Sequence, residues 1–380
     1  MHKCLLCLKC KKCHTCHKKK KIESRIVHLN NDEINPHAIS NISILDMCNI
    51  YGLNKIILNP KKKINIAISI VGTYPNWKSD LIKYCIFYNI TQQYIKNINI
   101  VQLNKNTPYI EGWAEECALD LQTVYTVISF LKCDNVTINI IQARSNSYPD
   151  LMNTILYANN NNMQVVSMSW GSNEFSGIMK YNSYFNNSKC CYFASTGDSV
   201  NPSYPASCSN VCAIGGTELN VQNSQRINES VWNGAGCSSS KFIQKPSYQN
   251  NVKNIPNILR FRVIPDVVSN ASPKSGITIF FNNRQINGIG GTSLSCPFNA
   301  SIFACFMTEI TNLTTVQINN PKIQLQFILY NLSKSLGYST YFYDVIDGQS
   351  GMTNATQYFD FASGLGVIKF QELLTFLKKN

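Results

Sequence analysis

Ile64, Ile66, Ile68 and Ile70 stand two apart, with Asn65, Ala67 and Ser69 between them. A two-residue period is the period of a strand. The residues in the gaps are mostly small, so both faces can be covered, as in a parallel sheet. Further runs read as strands at 98–103, 136–142, 164–169, 191–195 and 211–215. Helical stretches alternate with them, one starting at 80, then 114–131, 148–159 and a segment after Gly177. Such alternation predicts a doubly wound α/β fold, a mostly parallel sheet with helices on both faces. In that architecture the chemistry lies at the carboxyl ends of the strands.

The folded body is expected over 44–380, behind a tail and linker at 1–43. The net charge of +13 is uneven: residues 1–21 hold eight lysines and no acid, which leaves +5 for the rest. A basic tail can meet nucleic acid, anionic lipid or an acidic partner, or simply remain solvated. Cys4, Cys7, Cys10, Cys13 and Cys16 repeat every three residues, with His14 and His17 among them. That spacing would accept Zn2+ or an iron–sulfur cluster. A strict short repeat also reads as low complexity. No run is long enough to span a membrane, and the first residues lack the apolar stretch of a signal peptide. Eleven of the 16 cysteines lie beyond the tail. Cys208 and Cys212 are close enough to bridge a loop, whereas the vicinal Cys190 and Cys191 would be strained if joined.

One octapeptide draws the chemistry to itself: Gly290-Gly291-Thr292-Ser293-Leu294-Ser295-Cys296-Pro297, followed by an apolar helical run to 310. Proline is tolerated in a helix's first turn, so Ser293 is expected at a helix N-terminus, beside free N–H groups. The five histidines all lie within the first 37 residues. Unless the tail folds back, a base for Ser293 must be a carboxylate, a lysine or a terminus. Glu116 and Asp120, spaced i and i+4, share one helix face. They read equally as an acidic first turn favoured by the helix dipole or as a catalytic pair. Residues 165–172 form a buried strand ending in small residues, suited to shelving a substrate. Asp198 closes the strand at 191–195, either as a turn former or as a site acid.

Taken in order, these segments resemble the sedolisin family, the serine-carboxyl peptidases with a subtilisin-like fold. The resemblance runs from about 51 to 366. It rests on Glu116 with Asp120, Ser167–Gly171 (Ser-x-Ser-Trp-Gly), Ser195–Asp198 (Ser-x-Gly-Asp), and Tyr204-Pro205-Ala206-Ser207 with Gly215-Gly216-Thr217. Pro265-Asp266-Val267 and Gly291-Thr292-Ser293 with Pro297 complete it. In the last motif Gly290 replaces the family's leading serine. The resemblance implies an acid-active endopeptidase or tripeptidyl-peptidase acting on peptide or protein substrates. In it Ser293 is the nucleophile, Glu116 the base, Asp120 its partner and Asp198 a protonated oxyanion donor. It also implies one Ca2+ on the carboxylates of Asp344 and Asp360 and the carbonyls of Val345, Thr356 and Tyr358. The last two replace glycines usual in relatives. An acidic compartment, an extracellular location or a virion is expected by the same resemblance. Relatives carry a domain-sized prosegment, whereas about forty residues precede the body here. Two other classes remain: a catalytically silent scaffold or virion component, and a metal- or nucleic-acid-binding protein led by its tail.

Overall fold

The computed structural model describes residues 22–24, 27–28, 42–310, 325–334 and 337–379. The metal-ligand repeat of the tail lies outside them. Two short strands, β1 (Glu23–Ser24) and β2 (Val27–His28), precede α1 (Ile44–Ile50). A capping box starts α1, with Ser43 and Asp46 each satisfying the other's backbone N–H. There follow β3 (Ile64–Val71), α2 (Trp77–Phe87), β4 (Ile98–Gln102), α3 (Glu111–Phe130), β5 (Val136–Ala143), α4 (Tyr148–Asn160), β6 (Val165–Met168) and β7 (Trp170–Asn173). The next elements are β8 (Cys191–Ser195), β9 (Ser203–Tyr204), β10 (Val211–Gln222), β11 (Gln225–Val231), β12 (Ser238–Gln244), β13 (Phe261–Ile264) and β14 (Val267–Asn270). A hairpin of β15 (Ile277–Phe281) and β16 (Arg284–Gly290) leads into α5 (Thr292–Met307). The chain then closes through α6 (Leu325–Lys334), α7 (Tyr338–Tyr341) and α8 (Phe370–Lys379).

The central sheet has the order β11-β10-β8-β6-β3-β5-β4, with β14 also on β10. All its pairings are parallel except the β10–β11 hairpin. β3 sits in the middle, and its residues are buried apart from Asn65. That is why its isoleucines alternate with small residues instead of charged ones. α3 and α5 pack against each other and on β3. α4 covers β3 and β5, where Ser69 and Thr154 hydroxyls meet at 2.6 Å. Every residue of α5 is buried, so this helix runs through the interior.

The strands expected from the sequence lie within a residue or two of those observed, except that β10 runs on to Gln222 and turns back as β11. The segment after Gly177 is a 3-10 helix, Ile178–Phe185. The larger departure is before α1. Residues 22–43 read as a polar linker, yet Ile22 is fully buried and β1 and β2 pair with the body.

One buried ion pair ties the sheet edge together. Arg262 and Asp266 have no exposure, and Arg262 Nη1 and Nη2 donate to Asp266 Oδ1 and Oδ2 at 3.0 and 2.7 Å. The Ala213 N–H and the Tyr330 hydroxyl also donate to Asp266, at 2.8 and 2.9 Å. The eleven described cysteines are all unbridged and buried, Cys190, Cys191, Cys208 and Cys212 included. Burial pushes most of their thiols up, Cys208 to about 11 and Cys191 to about 12. Among the described residues no helix is long and apolar enough to cross a membrane.

Candidate active site

Chain geometry delivers Ser293. A Cβ on Gly290, the last residue of β16, would lie 2.4 Å from the Ala271 carbonyl oxygen. Gly291 has φ 101° and ψ 159°, a region essentially reserved for glycine. This sharp turn starts α5 at Thr292, so Ser293 is its second residue, and it has no solvent exposure. The first N–H groups of a helix lack intrahelical partners and carry partial positive charge. Pro297 sits deeper than its expected place in the first turn. It is the sixth residue, inside the helix. There it withholds the N–H that would bond the Ser293 carbonyl, and the Ser169 hydroxyl approaches that carbonyl at 3.5 Å instead.

α3 begins at Glu111, so the first-turn reading of the acidic pair does not hold. Glu116 and Asp120 lie in its second and third turns, both without exposure. Ser169, directly after β6, donates its hydroxyl to Asp120 Oδ1 at 2.7 Å. Asp120 Oδ2 is buried and makes no hydrogen bond. The resemblance implies a direct bond from Asp120 to Glu116. Two ionised carboxylates are acceptors only, so such a bond needs a proton on one of them. Burial raises the Asp120 carboxyl to about 8, against the opposing pull of the Ser169 bond. A group raised in the folded state stabilises the fold fully below its unfolded value near 4. That contribution is lost as pH rises through about 8. Urea unfolding at pH 4, 6 and 8 is expected to give falling stability, with a shallower fall in Asp120→Asn. An identical slope in the variant would refute the assignment of this proton to Asp120.

Asp198 follows β8 and is half-buried. Its Oδ1 accepts from the Thr292 N–H at 2.8 Å and from the Thr292 hydroxyl at 3.0 Å. The same hydroxyl accepts the Gly197 N–H at 3.0 Å. Thr292 thus fastens the Asp198 turn to the start of α5, one residue from Ser293. The structure brings Asp120 to the Ser293 backbone through Ser169, and Asp198 to its neighbour Thr292. Glu116 lies one turn from Asp120 on α3, which packs on α5. Sequence reasoning did not single out Ser169 or Thr292, although both lie inside the motifs that located the site. A serine immediately after a buried strand was the available signal.

A histidine does return to this region. β2 pairs with β16, and His28 Nε2 lies 3.1 Å from Glu115 Oε1. The Glu115 bond raises the His28 imidazole against the effect of its partial burial.

The expected calcium ligands surround one loop. Asp344 accepts from the Tyr338 hydroxyl at 3.1 Å and the Tyr358 N–H at 2.8 Å. Asp360 accepts from the N–H groups of Thr356, Ala362 and Ser363 at 3.1, 2.8 and 2.7 Å. The Ser363 hydroxyl reaches both Asp360 Oδ2, at 2.8 Å, and the Val345 carbonyl, at 3.4 Å. Burial raises both carboxyls despite these donors. Tyr358 takes φ 68°, the left-handed conformation a glycine would adopt without strain. Among the described residues no three His, Cys, Asp or Glu side chains cluster as a metal site. The expected set has only two carboxylates.

Comparison with known proteins bears on the family and the fold. Residues 123–336, more than half of the chain, match the subtilase family. Sedolisin of Pseudomonas sp. (strain 101) is 28% identical over 199 residues, 48% of this chain and 32% of that protein. The aligned stretch thus spans about a third of the curated relative's length. The solved structure of Pseudomonas sedolisin, a serine-carboxyl proteinase complexed with two molecules of pseudo-iodotyrostatin, superposes with a TM-score of 0.74 at 20% identity. It covers 90% of this chain and 99% of that one. The match over residues 123–336 places the chain in the subtilase family, and within it the chain is similar to sedolisin, whose fold it shares.

Proposed function

We propose that the chain is a serine peptidase that hydrolyses peptide bonds in acid through Ser293, Glu116 and Asp120, with Asp198 at the oxyanion. The observation that carries this reading is the bridge made by Ser169, which joins the buried carboxyl of Asp120 to the backbone of Ser293. Ser293 Oγ attacks the scissile carbonyl carbon. Its proton passes to ionised Glu116, which returns it to the leaving amine; a water that gives its proton to Glu116 then attacks the acyl carbon, and the proton goes back to Ser293 Oγ as the acyl–oxygen bond breaks. Asp120, neutral because burial raises it, places a proton on Oδ2. From there it bonds Glu116 one turn away and orients it. Asp198 keeps Oδ1 on Thr292 and, protonated on its other oxygen, donates a hydrogen bond from there to the oxyanion, beside the Ser293 N–H. A neutral donor acid and an ionised base acid coexist best near the ordinary carboxyl range, about pH 4. Peptide hydrolysis measured from pH 3 to 7 is therefore expected to peak in acid and to vanish in Ser293→Ala. A maximum near pH 8 would contradict the carboxylate scheme.

We further propose one Ca2+ held by Asp344 and Asp360 with the carbonyls of Val345, Thr356 and Tyr358. The chemistry fits a hard cation. Burial raises both carboxyls, and one of them shares Ser363 with the Val345 carbonyl. When bound, the ion supplies charge compensation and crosslinks the two loop segments. Chelator is expected to lower the melting temperature, and added calcium to restore it by mass action. An Asp344→Ala variant should be insensitive to both. A chelator response that survives in Asp344→Ala would place the ion elsewhere.

A further inference from the structure

The turn before Ser293 is made of two glycines, so no side chain of its own can aim it. Its main chain leans on the Ala271 carbonyl. The Gly291 N–H donates to that oxygen at 2.6 Å, and the same oxygen leaves no room for a Cβ at Gly290. The position of Ala271 is thus passed on to Ser293, two residues beyond Gly291. Two arms hold Ala271 in place. In the first, Asn270, the last residue of β14, donates its N–H to the Tyr51 hydroxyl at 2.8 Å. In the second, the Thr217 carbonyl on β10 accepts the N–H groups of Ala271 and Ser272 at 2.8 and 3.0 Å. Both arms end on Glu229 of β11. Its Oε1 accepts from the Tyr51 hydroxyl at 2.7 Å and from the Thr217 hydroxyl at 2.6 Å.

Glu229, Tyr51, Thr217 and Asn270 are all buried. A carboxylate is costly to bury unless it is paired and hydrogen-bonded. Arg226 supplies the opposite charge, with Nη1 3.3 Å from Glu229 Oε2. Its guanidinium lies over the rings of Tyr51 and Tyr343, 5.1 and 4.2 Å from their centres. The main-chain ladder already joins β10 to β11, so the hairpin does not need this carboxylate. What the carboxylate adds is a fixed link to Asn270 and Ala271. We infer that Glu229 is a positioning residue for the nucleophile, holding through Tyr51 and Thr217 the carbonyl on which the Ser293 turn is seated. This rests on the peptidase reading for what Ser293 does, and on hydrogen bonds alone for the link. A misplacement of about 1 Å at a reacting group can lower rate by about 10²-fold. An interaction that matters only in the transition state changes kcat and leaves KM in place.

Tyr51→Phe in the full chain removes the hydroxyl and keeps the ring, which packs on Phe298 at 5.5 Å. It is expected to lower kcat for an acid-cleaved peptide about tenfold or more, with KM within about twofold of the parent. Amide exchange at Gly291 should quicken about tenfold, while the amides of β3 keep their rates. Glu229→Gln, whose amide oxygen can still accept both hydroxyls, should lose less kcat than Glu229→Leu. Equal losses in these two would overturn the inference. In an active parent, an unchanged kcat in Tyr51→Phe would overturn the positioning role alone. A parent that cuts no peptide in acid, with Gly291 exchange still faster in Tyr51→Phe, would overturn the peptidase reading and support the link from Glu229 to the turn. Unchanged exchange at Gly291 would overturn that link whether or not the chain is active.

Discussion

Ser293→Ala is expected to lower kcat/KM for an acid-cleaved peptide by about 10⁴- to 10⁶-fold, and Glu116→Gln by a comparable factor. The double variant is expected to be no worse than either single one. The two residues act on one proton: alanine removes the oxygen that gives it, and an amide cannot receive it. Losses from groups that act as a unit do not add. Asp120→Asn should cost less, because an amide can still donate from the position of Oδ2 towards Glu116. Measuring the four proteins at pH 4 supplies the whole cycle. Multiplicative losses in the double variant would mean that Glu116 acts apart from Ser293, and the proposed proton path would fall.

Asp266→Ala is expected to cost roughly 3–5 kcal/mol of stability, the usual consequence of leaving a buried charge without its partner. Arg262 has no exposure, and among the described residues Asp266 is the carboxylate it pairs with. The change also removes the acceptor for the Ala213 N–H and the Tyr330 hydroxyl, so β10, β13 and α6 lose a shared anchor. Urea denaturation gives the figure directly. A loss below about 1 kcal/mol, the range of an exposed pair, would show that water reaches Arg262. The double change Arg262→Met with Asp266→Leu should recover part of the loss, since replacing both charges by apolar groups is often near neutral.

What the sequence made legible has a physical pattern. The strand at Ile64–Val71 was readable because it is covered on both faces and so obeys a strict period. The turn at Gly290-Gly291 was readable because its dihedral angles and the crowding by Ala271 leave no other residue type possible. Glu116 and Asp120 were identifiable as a pair by spacing, but not their burial, which depends on α5 packing across them from far along the chain. Ser169 was hidden for the same reason, since its partner Asp120 is 49 residues away. Residues 22–28 carried no signal at all. Two-residue strands have no period to detect, and they are held by edges whose position only the fold determines.

The buried sulfurs give the molecule an internal set of clocks. A thiol reacts as its thiolate, and burial both covers these groups and suppresses that form for most of them. In a folded molecule these eleven thiols should therefore ignore an alkylating reagent, and each modification among them should record an opening event. The reporters are spread through the architecture: Cys48 in α1, Cys117 in α3, Cys191 in β8, Cys212 in β10, and Cys296 and Cys305 in α5. Site-resolved labelling over time would rank these elements by their opening free energies. It would reveal whether the helix bearing the nucleophile opens on its own or only when the whole chain unfolds.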